Sequence, residues 1–240
     1  MNGIHRTMLN KSPLVFVGSG GNTTLEQSDN AIFINTSFSR IKKKDERYVI
    51  SNLFMADGYT DLKQVIDATA IPGYTSEQSK KIRLEKVNLY STVSVKTLIL
   101  ISGRSREELE QGVDSLGIIY QEMKVVSLRD IYWRCLKLAL KTRSFDIRRL
   151  VAWLFAIVVN SKPSAKFRPS TGLAAVLLFS ETMDESVTFK LNGIQSPNSF
   201  YGKDLTQVNH KNVHEQLDLY LLEGLRRYRE IKMELTNGKN

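Results

Sequence analysis

One cysteine, Cys135, is all that this 240-residue chain contains. That excludes an internal disulfide and fits a reducing compartment; set in an apolar stripe, Cys135 reads as a small core residue. No apolar run reaches the roughly 18 residues that cross a bilayer. The opening MNGIHRTMLNKSP also lacks the apolar segment of a secretory leader, so the chain is expected in the cytosol. Histidine is scarce as well, at three residues. His210 and His214 stand four apart, yet H-E-x-x-H from His214 would need histidine where Asp218 stands, and no other His or Cys cluster supplies ligands. A metal site is therefore not expected. The chain also has no Gly-Lys-Ser/Thr phosphate loop and no Gly-x-Ser-x-Gly nucleophile elbow. Thr23 occupies the last glycine position of G-x-G-x-x-G. ATP, a nicotinamide cofactor and serine-hydrolase chemistry are not indicated.

What is present is enough apolar residue, 42% of the chain, to bury one substantial core, and a single domain over 1–240 is expected. The basic excess is local. Of 34 Lys and Arg residues, 11 fall between Lys124 and Arg168, against 2 of the 25 Asp and Glu, so the remainder balances at 23 each. Segment 124–168 thus carries the whole net charge of +9. Within it, 127–141 and 143–160 repeat apolar residues at helical spacing, with Arg134, Lys137 and Lys141 on one strip and Arg148 and Arg149 near the second start. Such helices suit either a core with a solvated side or the surface of an anionic membrane. Nucleic acid is disfavoured, because the cations are interleaved with long apolar stretches and no nucleic-acid motif occurs.

Short apolar runs at 14–17, 31–34, 48–51, 87–93, 97–101, 118–126 and 187–191 read as strands, and 60–70, 105–113, 173–180 and the segment after His210 as helices. Alternating apolar strands and helices predict an α/β fold with a mostly parallel sheet flanked by helices on both faces. Gly18-Ser19-Gly20-Gly21 follows the first strand, and Asn35 and Asn52 end the next two. Pro169-Ser170-Thr171-Gly172 opens a helix, whose first N–H groups attract phosphate. A histidine at a helix start, as at His210, suits proton removal from a hydroxyl.

Three stretches carry a family resemblance. LVFVGSGGNTTLEQSDNAIFINTSF resembles the large sialylmotif of sialyltransferases, and PSTGLAAVLLFSETMDESVTFKLNGI is similar to their small sialylmotif. His210 through Glu215 reads H-x-x-x-x-E, like their very small motif. The paired cysteines of the animal enzymes are absent, which points to the smaller bacterial type.

The resemblance implies a single Rossmann-like domain, a GT-A-like variant, that moves sialic acid or Kdo from its CMP donor to a glycan or glycolipid of a bacterial surface polymer such as lipopolysaccharide or capsule. Gly18, Ser19, Gly20 and Thr24 would line the phosphate, Asn35 and Asn52 would contact ribose and phosphate, and Ser170, Thr171 and Gly172 would hold the phosphate at the helix end. Gly193 and Ile194 would border the cytosine, and Tyr201 would donate to the departing phosphate. His210 would be the base with Glu215 supporting its helix, and His214 is the rival base. No cofactor or metal is implied, since no Asp-x-Asp occurs and a nucleoside monophosphate carries less charge than a diphosphate. The basic segment would sit on the cytoplasmic face of the inner membrane, and self-association is left open. The other readings are a non-enzymatic basic module for anionic membrane or nucleic acid, and a different nucleotide-using α/β enzyme.

Overall fold

Leu14–Val17 (β1) is the first regular element of the computed structural model, which describes residues 13–18, 30–42, 47–68, 70–71, 74–143, 146–159, 163–194 and 214–234. Six further strands pair with it: β2 (Ala31–Ile34), β3 (Tyr48–Ala56), β4 (Val93–Ser102), β5 (Ile119–Ser127), β6 (Phe189–Asn192) and β7 (Ile231–Glu234). The sheet order is β5-β4-β3-β2-β1-β6-β7, and every pair is parallel. Val15 faces Ala31 on one side and Lys190 on the other. The chain therefore starts near the middle, runs outward through β5, and returns to the far side of β1. That reversal opens a crevice at the carboxyl ends of β1 and β6, the place where open α/β sheets hold ligands.

Strand residues alternate between two cores because side chains alternate across a strand. Val17, Phe33, Leu53, Met55, Leu98 and Leu100 face Tyr90 of α1 (Ser76–Tyr90) and Leu109, Val113 and Leu116 of α2 (Arg106–Leu116). Phe16, Ile32, Ile34, Phe54, Ile99 and Ile101 face the other side, under α3 (Leu128–Thr142), α5 (Thr171–Thr182) and α6 (Glu215–Arg226). α4 (Ile147–Val159) packs outside α3 and contributes Trp153 and Ala156. α5 is buried from Gly172 through Phe179, as expected of a helix that is apolar all round. Cys135 is fully buried, and burial pushes its thiol pKa up, which leaves it an inert core residue.

The parallel α/β expectation matches this architecture, and four local ones are corrected. Residues 60–67 form turns, not a helix: of their apolar residues only Leu62 is buried, so no continuous helical stripe is anchored. The stretch 87–93 is not a strand. Val87 to Tyr90 end α1, a helix started by a Thr75–Gln78 capping box and hidden from periodicity because it buries only Ser79 and Tyr90. β3 runs on to Ala56, beyond the end expected at Asn52. The basic tail after α6 does not continue that helix, since Ile231–Glu234 adds an edge strand beside β6. Within the basic segment, Arg134 is no surface cation: it is buried and ion-paired with Glu181 of α5.

Candidate functional site

The crevice begins where β1 and β6 end side by side. Gly18 N donates to Asn192 O at 2.8 Å, and Gly193 turns away with a left-handed φ of 68°. The strands are so close that a Cβ on Gly18 would lie 2.4 Å from Gly193 O. Arg40 clasps both ends, donating from Nη1 to Gly18 O at 2.8 Å and from Nη2 to Asn192 Oδ1 at 2.6 Å. Gly18→Ala is expected to force the pair apart and to cost about 1–3 kcal/mol, or roughly 2–12 °C in Tm. A thermal melt checks this, and an unchanged Tm would show that the crevice wall gives freely.

Asn35 follows β2 in the left-handed region, φ 52°. Its N–H donates to Phe54 O at 2.8 Å, and its Oδ1 accepts from Ala56 N at 3.3 Å. Asn52 is a correction: it sits in mid-β3, 2% exposed, with Nδ2 donating to Ala31 O at 3.4 Å, and it does not line the crevice. Because β3 is four residues longer than expected, the group at its carboxyl end is Asp57, whose Oδ2 accepts from Ser102 Oγ at 3.1 Å. A strand that ends in Asp-Gly was the available sequence signal.

Opposite lies the start of α5. Ser170 caps it, Oγ accepting from Leu173 N at 3.3 Å, while Thr171 and Gly172 occupy the first turn, where N–H groups have no helical carbonyl to reach. Ser170 N donates to Asp218 Oδ1 at 3.0 Å. Asp218 is 1% exposed; burial raises its carboxyl pKa, while the Ser170 hydrogen bonds and the nearby His214 pull it down. His214 caps α6 one turn earlier, and its Nδ1 lies 2.7 Å from Arg168 O. A carbonyl only accepts, so Nδ1 carries the hydrogen and, in the neutral ring, Nε2 holds the lone pair. Arg168 itself lines the crevice, its buried Nε without a hydrogen-bond partner among the described residues.

These groups surround one cleft of about 500 Å3 that brings together Gly18, Asn35, Ser170, Thr171, Gly172, Gly193, Ile194 and His214. Its far wall was not visible in the sequence: Tyr59, Ile82, Arg83 and Lys86, the last three on α1, and Tyr132 on α3. Burial raises the Tyr132 phenol to about 12, Arg168 opposing, which keeps it a neutral donor. Burial, helped by Arg83, lowers Lys86 from its ordinary 10.5 to about 8. The folded state thus binds fewer protons than the unfolded one between those values, so stability rises with pH across that window. Its ammonium lies over the Tyr59 ring, 5.4 Å from the centroid, so Lys86→Met removes a desolvated cation and a ring contact together. The stability of the variant relative to wild type is expected to fall between pH 7 and pH 10.5; denaturant melts at both pH values check it, and a difference that does not change with pH would overturn the shift.

Ser19, Gly20, Thr24, Tyr201 and His210 lie outside the described residues, and Glu215 is the first residue of α6. Among the described residues, no three His, Cys, Asp or Glu side chains group as metal ligands. No family model, curated protein or solved structure matches the chain.

Proposed function

We propose that the chain is an inverting glycosyltransferase that moves a 2-keto acid sugar, sialic acid or Kdo, from its CMP donor to a hydroxyl of a glycan or glycolipid. The observation that supports this best is the placing of His214, with its tautomer set by Arg168 O, in the same cleft as the α5 start and the β1–β6 crevice. A mononucleotide in the crevice has glycine backbone beside it at Gly18 and Gly193, and N–H groups for its phosphate at Thr171 and Gly172.

The acceptor oxygen forms a bond to the anomeric carbon as His214 Nε2 takes its proton. The bond from that carbon to the phosphate oxygen breaks, and its electron pair leaves with CMP. The phosphate thereby gains one negative charge, which the fixed α5 donors and Arg168 stabilise. Asp218 stabilises the imidazolium that forms, four residues along the same helix. The donor sugar carries a carboxylate beside its reacting carbon, and a cleft holding Arg168, Arg83 and Lys86 suits an anion.

Thermal shift with CMP, CDP, UDP and AMP tests the nucleotide, and incubation with CMP-sialic acid and CMP-Kdo over an acceptor panel tests the transfer. A saturating ligand at about 100 times its Kd adds roughly 2.7 kcal/mol, so stabilisation by cytidine nucleotides is expected to exceed that by the others clearly. The proposal fails if no cytidine nucleotide stabilises the chain and neither donor releases CMP.

A further inference from the structure

The outer side of α4 is apolar and unpartnered. The helix packs on α3 and the turn at Ala165–Phe167, with Trp153 Nε1 donating to Phe167 O at 2.8 Å. Away from that contact it exposes Ile147, Val151, Leu154, Phe155, Val158 and Val159. Exposure reaches 70% at Ile147, 60% at Phe155 and 76% at Val158, far above what scattered surface apolar residues need. These positions recur at helical spacing along 13 residues. Trp133 and Leu140 on neighbouring α3 are exposed as well, at 46% and 51%. Lys137 lies over the Trp133 ring, 5.9 Å from its centroid.

We infer that this face docks on an anionic phospholipid bilayer, with α4 lying in the interfacial plane. Charge decides between occupants. Among the described residues of α3, α4 and the turn after them, every exposed charged side chain is cationic, including Arg129, Lys137, Arg148 and Lys166, and the two acids, Asp130 and Asp146, are half-buried. Asp146, the acid at the start of α4, is paired with Arg149 at 3.1 Å. Two copies meeting through this face would set cation against cation, whereas anionic headgroups complement it. Length decides orientation. Thirteen residues rise about 20 Å, short of the roughly 30 Å hydrocarbon core, and among the described residues no helix is long and apolar enough to span. An apolar face with a cationic rim on a short helix is the pattern of surface-lying helices.

The test is co-sedimentation of the full chain with vesicles of phosphatidylcholine alone and with phosphatidylglycerol added, at low and high salt. The docked state predicts binding to the anionic vesicles only, weakened at high salt. F155D/V158D, on exposed positions, is expected to reduce the partition coefficient at least tenfold, and K137E/R148E several-fold, each with an unchanged melting temperature. Absence of binding to anionic vesicles overturns the inference. So does a wild-type dimer by light scattering that F155D/V158D converts to monomer without affecting vesicle binding, because the face would then cover a second copy. CMP-induced thermal stabilisation in both variants is a separate readout of the cleft, unaffected by either outcome.

Discussion

Replacing His214 with alanine is expected to lower transfer from a CMP-sugar by about 10²–10⁴-fold, the usual contribution of a positioned general base, while leaving the CMP-induced rise in melting temperature intact. The two readouts separate because, in the proposed complex, the nucleotide would be held by other groups of the cleft, at Gly18, Thr171, Gly172 and Gly193, whereas the proton would go to Nε2. The variant loses the hydrogen bond to Arg168 O, worth about 1 kcal/mol. Asp218→Asn is expected to fall between wild type and His214→Ala, because asparagine still accepts from Ser170 N but no longer stabilises an imidazolium. Initial rates over a pH series, with the melt of each variant in parallel, check all of this. Full activity in His214→Ala together with loss in His210→Ala would transfer the role of base to His210.

Much of the architecture was legible because it is written in periodicity. Leu14–Val17 and Ala31–Ile34 are central strands buried on both faces, so each reads as an uninterrupted apolar run. The Pro-Ser-Thr-Gly turn before an apolar helix placed the α5 start within two residues, at 173 against Thr171, since a serine cap and a helix without polar faces leave little choice. Other features were not legible, for physical reasons. α1 is an exposed helix made of good helix formers and marked only by its cap, so the apolar residues at its end imitated a strand. Asn52 read as a strand end because asparagine is a turn former, yet its amide is spent on Ala31 O inside the sheet. The partners of His214 were further out of reach. Arg168 orients the ring through its backbone, and Asp218 acts through a long-range bond to Ser170 N; neither leaves a composition signal, though the i, i+4 spacing of His214 and Asp218 was there to be used. Arg83 and Lys86 belong to the cleft only because the order of the strands swings α1 over the end of β3.

Arg229→Met is expected to cost about 3–5 kcal/mol, the largest stability loss of any single change argued from this fold. Arg229 lies between α6 and β7, in the basic tail of the chain. Its guanidinium reaches the carboxyl end of α5. Nη2 donates to Ser180 O at 3.0 Å and Met183 O at 2.9 Å, and Nη1 to Asp184 O at 2.6 Å and Val187 O at 2.9 Å. The group is 6% exposed and stacks 4.5 Å from the centroid of Phe189 in β6. Burial lowers its pKa while Glu185 and Asp184 oppose, and a guanidinium remains charged near neutrality regardless. The carbonyls of Ser180 and Met183 at the negative end of α5, and of Asp184 and Val187 in the turn after it, thus accept from one planar fork. Methionine keeps most of the volume but removes all four of these hydrogen bonds, Asp184 O retaining its bond from Val187 N at 3.1 Å, and for a chain this long the loss corresponds to a fall of roughly 6–20 °C in Tm. Arg229→Lys is expected to recover part of it, because an ammonium restores the charge but cannot serve four acceptors in one plane. A methionine variant within about 1 kcal/mol of wild type in denaturant melts would mean that water reaches these carbonyls, and that α5, the rod whose other end carries Ser170, Thr171 and Gly172, is held in place by its apolar packing alone.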